Sequence, residues 1–304
     1  MYNRVLFIGS KAAGYRVLNK IYTLAPNNLV GCVTVNDNED SRSDLGQIKN
    51  YCYEKHIELD VLSGNCDLTR SIERFKPDIC IVMGWYYIIK SELLESIQGG
   101  FIGIHYSLLP QHRGFAPVVW SIIDGDDTTG FSVFSLNCDM DSGMLWYQER
   151  IDIKKEEYIS DVIEKLEEKV LDFFDRHFLD LLQGNMKPYK QTGVVSYGAK
   201  RTPSDGRIDW NQEASKIYNF IRAQSRPYPG AYSYYQGRKI IIWSSTVFAY
   251  SIQGFPGQIG LINNKEGYIV IVCGDNTGLV VNEIEEDGVL KKATVIKSLT
   301  ERLL

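Results

Sequence analysis

Short apolar runs alternate with segments of helical spacing over the first third of the chain. Arg4–Ile8 and Leu29–Val35 are compact apolar runs of the kind found in buried strands, and Ala13–Leu24 has the spacing of an apolar helix face. Further along, the pattern predicts helices over Leu45–Lys55, Leu68–Phe75 and Ser91–Ile97 and strands over Ile79–Met83 and Phe101–His105. This alternation is typical of parallel strands joined by crossover helices.

The pattern changes in the middle of the chain. A predicted helix over Ala116–Ile123 is followed by two β-rich runs, Thr129–Leu136 and Met144–Ile153, which are joined by a turn and indicate an antiparallel edge. Tyr158–Leu182 keeps helical spacing over its whole length. Residues 1–190 are therefore predicted to form an α/β domain, a Rossmann-like open sheet that is mostly parallel with an antiparallel edge.

A region of different character follows residue 190. Residues 191–230 are polar and contain glycines, with a helix predicted over Asn211–Ala223. Residues 231–304 form a predicted small C-terminal β domain, barrel-like and OB-like, because short strands there are separated by turns. Its strands are predicted over Tyr232–Tyr235, Lys239–Phe248, Gln258–Ile262, Tyr268–Cys273 and Leu279–Ile284.

Composition and charge narrow the class of protein. The net charge of −5 disfavours a large nucleic-acid-binding surface. No apolar run is long enough to cross a bilayer. The six cysteines lack CxxC spacing and the four histidines lack metal-ligand spacing, so reduced thiols and no metal site are expected. Because Met1–Arg4 leads directly into the first strand, a cytoplasmic location is expected.

The segment Gly103–Gly114 carries the strongest chemical signal. His105 ends an apolar strand, and the turn-forming segment Ser107–Gly114 follows it. Open α/β sheets place their ligands and reacting groups at this end of their strands. Asp141 lies in a later turn, Asp139–Gly143. An imidazole and a carboxylate at successive strand ends predict an oriented acid–base pair.

A dinucleotide site is a weaker interpretation of the N-terminal turn. Gly9–Gly14 joins the first strand to a helix, but its glycines do not have GxGxxG spacing. The second strand ends in the acidic stretch Asn36–Asp40 rather than in one well-placed acid. We therefore interpret this turn as a strand-to-helix connection.

Two regions of the chain resemble a known family. Residues 1–190 resemble the formyltransferases that use 10-formyltetrahydrofolate, through four motifs in the family's order and spacing: His105-x-Ser-Leu-Leu-Pro110, Arg113-Gly114, Thr129-Gly130 and Asp141-x-Gly143. Tyr197–Trp210 and Ile221–Ala231 are similar to the substrate-closing and C-terminal regions of sugar N-formyltransferases, and methionyl-tRNA formyltransferase has a related version. The resemblance implies a catalytic domain at 1–190 and a linker with a substrate-closing segment at 191–230.

The resemblance also implies catalytic roles. When an amine attacks the formyl carbonyl, a proton must leave nitrogen and negative charge develops on oxygen. The resemblance assigns His105 as proton shuttle and oxyanion donor. It assigns Asp141 as the carboxylate that positions the imidazole and takes part in proton transfer.

Gly103 departs from the family pattern, which usually has asparagine two residues before the histidine. Losing one oxyanion donor costs about 10²–10³ in rate in other enzymes. Three explanations compete: another donor such as Asn137, Ser107, a backbone N–H or a water; a branch that dispenses with the side chain; or a weakened form. The fit of the neighbouring sequence favours a natural branch with an altered donor.

The resemblance places the pterin ring of the co-substrate, 10-formyltetrahydrofolate, between two loops. A flat heterocycle suits an apolar slot with a few convergent polar groups. For the first loop, plain core packing is the alternative. The implied folate-binding residues are Met83, Gly84, Trp85, Ile88 and Ile89 in the first loop and Asn137, Cys138 and Asp139 in the second.

The implied acceptor is the amine of a nucleotide-linked amino sugar, destined for a surface polysaccharide or glycan. Such a substrate needs donors for its phosphates and an aromatic surface for its base. The candidate substrate-binding residues are Ser107, Arg113, Lys200 and Arg201, with Tyr197 and Trp210 as stacking partners. The sequence leaves the nucleotide, the sugar and the amino position open.

Two alternatives to a sugar acceptor carry weight. Methionyl-tRNA formyltransferase needs much positive surface, whereas Asn36–Asp44 and Glu283–Asp287 are acidic, so a sugar nucleotide is preferred and no nucleic-acid or membrane partner is expected. A formyltetrahydrofolate hydrolase or binding protein gains some weight from Gly103, and formate release without an amine acceptor would distinguish it. A homodimer is left open.

Overall fold

The structure is a computed structural model that describes residues 1–64 and 66–304 of the 304-residue chain. The described residues form two units by their internal contacts. The first comprises Met1–Gly114, Thr129–Ile151 and Glu164–Tyr197, and the second comprises Phe115–Thr128, Asp152–Ile163 and Gly198–Leu304. The domain boundaries expected at residues 190 and 230 stay a prediction.

The secondary structure follows the predicted alternation closely in the N-terminal half. The helices are α1 (Lys11–Leu24), α2 (Leu45–Glu54), α3 (Thr69–Phe75), α4 (Ser91–Ser96), α5 (Pro117–Asp124), α6 (Ile159–Gln183) and α7 (Ala214–Gln224). The first nine strands are β1 (Val5–Gly9), β2 (Leu29–Val35), β3 (Leu59–Leu62), β4 (Ile79–Met83), β5 (Phe101–His105), β6 (Arg113–Gly114), β7 (Thr128–Ser135), β8 (Leu145–Asp152) and β9 (Tyr197–Gly198). Within the described residues, none of these helices has both the length and the apolarity needed to cross a bilayer.

The first unit is built on a seven-stranded sheet in the order β3-β2-β1-β4-β5-β7-β8. The pairs from β3 to β5 are all parallel. The central strands β1 and β4 are buried along their whole length, as expected of a sheet covered on both faces. The predicted Rossmann-like architecture is confirmed, and β3, which has no counterpart among the predicted strands, forms one edge.

The antiparallel edge begins where β7 pairs with β5. His105 lies opposite Ser132 in that pair. β7 and β8 are neighbours in the sheet, and the Ser135 N–H donates to the Met144 carbonyl at 2.8 Å where the two strands are joined. The predicted antiparallel edge is confirmed, and it places Asp141 in the turn between β7 and β8.

The second unit contains two four-stranded antiparallel sheets, β10-β11-β16-β17 and β12-β15-β14-β13. Isoleucine and valine side chains from these strands and from α7 form its core. Antiparallel strands are thus confirmed in the C-terminal region. The strands are β10 (Ala231–Tyr235), β11 (Arg238–Ile242), β12 (Thr246–Val247), β13 (Ile259–Asn263), β14 (Tyr268–Val272), β15 (Gly278–Val281), β16 (Glu283–Glu286) and β17 (Val289–Lys292).

The strand pattern of the second unit is finer than the sequence predicts. The predicted strand Lys239–Phe248 breaks into β11 and β12, and Leu279–Ile284 breaks into β15 and β16. In both cases the chain leaves one sheet and enters the other at the break. In the second case an apolar run cannot reveal the change of sheet, because Leu279 and Val281 of β15 and Ile284 of β16 are buried in the same core.

Candidate active site

His105 is the last residue of β5, and its two ring nitrogens have different neighbours. Nε2 lies 2.9 Å from the carbonyl oxygen of His112. Because a carbonyl only accepts, Nε2 carries the proton in the neutral ring and Nδ1 presents a lone pair. The side chain is 12% exposed, and Phe134 packs against it edge-on with ring centroids 6.3 Å apart. The imidazole is therefore oriented and largely buried.

Asp141 occupies the turn between β7 and β8 with a φ of +49°, a conformation that aspartate adopts more readily than most residues. Its Oδ2 accepts a hydrogen bond of 2.7 Å from the Gly114 N–H. The same oxygen lies 3.7 Å from Nδ1 of His105. The structure thus brings together the two side chains that the sequence predicts as an acid–base pair.

This pair has a place for one additional proton. With the Nε2–H of His105 donated to the His112 carbonyl, the Nδ1 lone pair faces the carboxylate of Asp141. A proton on Nδ1 would give an imidazolium 3.7 Å from the carboxylate, which is an ion-pair distance. The arrangement therefore favours taking a proton from a third group, which is the function of a general base.

Two residues outside the predicted site hold these groups in place. Ser196 accepts the His112 N–H on its Oγ at 2.8 Å. Gln191 donates from Nε2 to the carbonyls of Asp141 and Gly143, at 2.8 and 2.9 Å. Both residues follow α6 in a polar segment without periodic spacing, so the sequence pattern does not single them out.

The space beside the α-carbon of Gly103 is filled by apolar side chains. A β-carbon there would lie 2.9 Å from Cδ2 of Leu136 and 3.0 Å from Cε1 of Phe134. Of the alternatives considered for the missing asparagine, a water beside Gly103 is therefore disfavoured. Of the other donors considered, Asn137 is exposed.

Two residues expected at the substrate site have structural positions instead. Ser107 is fully buried, and its hydroxyl donates to the Gln111 carbonyl at 2.6 Å. It is therefore neither a free oxyanion donor nor a substrate contact. Trp210 is 4% exposed, and its Nε1 donates to Oγ of Ser233 at 3.0 Å. Its ring belongs to the core of the second unit and offers no face to a nucleobase.

Arg201 likewise makes its hydrogen bonds within its own unit. Its guanidinium donates to the Asp205 carbonyl at 2.8 Å and to Oε1 of Gln224 at 2.9 Å, and it lies 4.9 Å from the Trp120 ring centre. Burial lowers the pKa of this guanidinium. These contacts give Arg201 a structural part within the unit, so its expected part in substrate binding stays a prediction, as does that of the neighbouring, exposed Lys200.

Arg113 and Tyr197 stand together in the first unit. Arg113 donates to Oε1 of Gln191 at 2.6 Å, and its Nη1 lies 3.4 Å from the Tyr197 hydroxyl. The Tyr197 side chain is 64% exposed. A guanidinium beside an exposed aromatic ring suits a phosphate or a flat heterocycle.

The residues expected to bind folate differ in their exposure. Met83 is buried, while Trp85 and Ile89 are half-buried against a core cluster of the first unit. Ile88 is 96% exposed, and the Gly84 carbonyl accepts a hydrogen bond within the unit. The indole Nε1 of Trp85 is buried and has no hydrogen-bond partner in the described part of the chain. Exposed positions in the second loop are Asn137, Cys138 and Asp139.

Carboxylates neutralise the cations at the end of β2. Nζ of Lys11 forms ion pairs with Asp37 and Asp40, at 2.5 and 2.8 Å, and Arg42 pairs with Asp40 at 2.9 Å. Burial raises the pKa of Asp40, but hydrogen bonds from Arg42 and Lys11 outweigh it and hold that pKa well below its usual range. These cations are therefore occupied within the protein.

Other parts of the described structure provide fewer groups that could take part in catalysis. Residues 1–64 and 66–304 contain no group of three or more His, Cys, Asp or Glu side chains arranged to hold a metal ion, and all six cysteines are free thiols. A cavity of about 590 Å³ in the second unit is lined by Tyr158, Arg226 and Trp243 among others. No imidazole is among the described residues lining it, so the pair in the first unit is the better candidate.

Comparison with known proteins identifies relatives along most of the chain. Residues 31–176 match the formyl transferase family model, and residues 200–300 match the model of the formyl transferase C-terminal domain. A methionyl-tRNA formyltransferase from Alkaliphilus oremlandii is 32% identical over 224 residues, which cover 73% of this chain and 71% of that protein. The methionyl-tRNA formyltransferase of Caldanaerobacter subterraneus subsp. tengcongensis is 25% identical over 292 residues, which cover 94% of this chain and 93% of that protein.

A solved structure shares the fold. It is an N-formyltransferase from Helicobacter canadensis in complex with folinic acid and dTDP-3-aminofucose. The TM-score is 0.69 with 16% sequence identity, over 91% of this chain and 98% of that chain. At this identity the likeness concerns the fold alone.

Proposed function

We propose, from the premise that the chain belongs to the formyl transferase family, that it moves a formyl group from 10-formyltetrahydrofolate to the amine of a nucleotide-linked amino sugar. Formyl transfer is the activity of the family. The proposal concerns the formyl donor, the acceptor amine, and the residues that bind them and catalyse the transfer. The observation that carries it is the separation of 3.7 Å between Nδ1 of His105 and Oδ2 of Asp141.

In this proposal the amine nitrogen bonds to the formyl carbon, the bond from that carbon to N10 of the folate breaks, and the pair passes the proton that the amine loses to the departing N10. Nδ1 of His105 receives the proton and Asp141 stabilises the resulting charge, while the bond from Nε2 to the His112 carbonyl keeps the ring from turning. The Gly114 N–H holds the carboxylate in place. A positioned base of this kind contributes about 10²–10⁴ in rate. Of the two roles that the resemblance implies for His105, the geometry supports the proton role, because its N–H is already donated.

Trp85 supports a folate-like ligand in the first unit. A buried N–H without a partner costs about 1–3 kcal/mol, and a ligand acceptor would remove that cost. The ring of a pterin offers acceptors on its edge and a flat surface for an apolar slot. The indole Nε1 of Trp85 would hold the donor substrate there, and the donor substrate would supply the formyl group.

The proposal of a sugar nucleotide as the acceptor rests on the distribution of charged side chains. The phosphates of a sugar nucleotide need one or two cations, and Arg113 beside Tyr197 meets that need within the first unit. A tRNA would need many unpaired cations, because phosphate contacts dominate nucleic-acid affinity. Lys11 and Arg42 are instead paired with carboxylates, and the net charge of the chain is −5.

Methionyl-tRNA remains a second candidate acceptor, because the relatives that match with good coverage are methionyl-tRNA formyltransferases. The discriminating property is salt dependence. Binding of a tRNA should weaken steeply with salt, roughly in proportion to the number of phosphates contacted. Binding of a sugar nucleotide through one or two phosphates should change little over the same range.

The test is a transfer assay with 10-formyltetrahydrofolate and two sets of acceptors. One set contains UDP-, dTDP- and CMP-linked amino sugars, and the other contains methionyl-tRNA. We expect one amino sugar to gain the mass of a formyl group and methionyl-tRNA to remain unchanged. Formylation of methionyl-tRNA alone would overturn the acceptor, and formate release without any formylated amine would identify a hydrolase.

Variants of the pair test the assignment of residues. His105→Ala and Asp141→Asn should each lower turnover by about 10²–10⁴ while the melting temperature stays near that of the parent protein. His56→Ala is the matched control, because His56 is an exposed histidine in the same unit. Near-parental turnover in either pair variant would contradict the assignment.

A further inference from the structure

We propose that Gln191 is a positioning residue that sets Asp141 beside His105 and links it to Arg113. The inference deepens the proposed function and rests on it, because Asp141 is there a member of the proton-accepting pair. The sequence pattern does not mark Gln191, which follows α6 in a polar segment. Its position is evident only from its hydrogen bonds.

The amide of Gln191 uses its whole hydrogen-bonding capacity. Its two N–H groups reach two carbonyls, those of Asp141 at 2.8 Å and Gly143 at 2.9 Å. Its oxygen accepts from Nη2 of Arg113 at 2.6 Å and from Nε at 3.3 Å. A flipped amide would set oxygen against two carbonyls and nitrogen against a guanidinium, so this network fixes the orientation.

The turn that carries Asp141 needs such an external hold. Asp141 has a φ of +49°, outside the conformations that most residues prefer. A β-carbon on Gly143 would lie 1.8 Å from the Ser135 carbonyl oxygen, so the turn lies directly on the end of β7. Gln191 holds it from the other direction through two carbonyls. Releasing them would let the carboxylate move relative to the imidazole.

The same amide couples the carboxylate to Arg113. Its oxygen receives the guanidinium fork while its nitrogen holds the turn. A substrate phosphate bound by Arg113 would therefore contact a group that shares one side chain with Asp141. Loss of Gln191 is expected to affect both substrate affinity and turnover, since positional errors of about 1 Å cost up to about 10² in rate.

Two substitutions separate these effects. Gln191→Leu removes both sets of hydrogen bonds, so we expect kcat to fall by about 10² and KM for the acceptor to rise. Gln191→Glu keeps an acceptor for Arg113 but sets a carboxylate oxygen against two carbonyls, so kcat should fall while KM stays near the parental value. Gln47→Leu, at an exposed glutamine of α2, is the control that should change neither.

A double-variant cycle with Asp141→Asn separates positioning from general destabilisation. If Gln191 acts through Asp141, adding Gln191→Leu to Asp141→Asn causes less than about a threefold further loss in kcat. If the kcat losses of the two single variants multiply in the double variant, the inference alone is overturned. The same holds if Gln191→Leu keeps the parental kcat while Asp141→Asn is inactive. Parental turnover in Asp141→Asn would overturn the proposed function as well. Gln191→Glu, which keeps the side-chain volume, carries the test if Gln191→Leu fails to fold.

Discussion

Gly103 and Leu136 fit each other across the pair of strands that carries the candidate base. A β-carbon at Gly103 would lie 2.9 Å from Cδ2 of Leu136, and Phe134 closes the space at 3.0 Å. Gly103 also pairs directly with Phe134 in the β5–β7 ladder. The absence of a side chain at Gly103 therefore makes room for the side chain of Leu136. Introducing asparagine at Gly103 therefore requires a compensating change at Leu136.

We predict that Gly103→Asn alone lowers stability by about 1–3 kcal/mol, the usual cost of overpacking, without raising turnover. Adding Leu136→Ala makes room for the amide, so the double variant should be more stable than the sum of the single effects predicts. Its kcat should exceed that of Gly103→Asn by about tenfold if the amide becomes an oxyanion donor. Thermal unfolding and transfer kinetics on all four proteins measure both effects, and strictly additive stabilities would contradict the packing argument.

A second prediction concerns Arg201, which the sequence suggests as a phosphate ligand and the structure ties to its own unit. Arg201→Ala removes hydrogen bonds to Asp205 and Gln224 and should destabilise the protein by about 2 kcal/mol. Lys200→Ala, next to it and exposed, should stay within about 0.5 kcal/mol of the parent. Differential scanning calorimetry measures this, with KM for the acceptor alongside. An unchanged melting temperature with a raised KM in Arg201→Ala would support the ligand role.

Local pattern was enough for most helices and strands of the first unit, although it missed the edge strand β3. The apolar run Phe101–His105 places His105 at the end of β5, but β7, which precedes Asp141, runs antiparallel to β5. The rule that parallel strands end at one edge therefore does not explain why Asp141 lies beside His105.

Contacts between distant segments could not be predicted from the sequence pattern. Gln191 and Ser196 reach the Asp141 and His112 turns from beyond α6, and nothing periodic marks them. Burial of Ser107 likewise depends on the tertiary fold rather than on its neighbours in sequence.

The third prediction is a pH dependence that arises from Glu149 on β8. Burial raises the pKa of Glu149, but hydrogen bonds from Tyr147, Lys169 and Arg176 outweigh it and lower that pKa overall. A carboxyl whose pKa is lower in the folded state stabilises the protein at neutral pH, and this contribution is lost as the pH falls below about 4.3, the usual value for glutamate.

Glu149→Gln should therefore lower the melting temperature at pH 7 and have a shrinking effect below about pH 4.3. Because Lys169 and Arg176 are partly exposed, the difference at pH 7 should be at most about 1 kcal/mol. Glu168→Gln, at an exposed glutamate of α6, is the control and should show no such trend. A deficit in Glu149→Gln that is equal at pH 7 and pH 3.5 would contradict the assignment.

The fourth prediction tests whether the free indole N–H of Trp85 serves a ligand. Since Nε1 of Trp85 has no partner among the described residues, Trp85→Phe removes no hydrogen bond from the protein without ligand. Its melting temperature should fall less than that of Trp243→Phe, in which the bond from Nε1 to Oε2 of Glu285 is lost. If a pterin acceptor meets the Trp85 N–H, the dissociation constant for tetrahydrofolate should rise about fivefold to tenfold in Trp85→Phe and stay parental in Trp243→Phe. Fluorescence or calorimetric titration with tetrahydrofolate measures both, and equal affinities in the two variants would leave the indole without a part in folate binding.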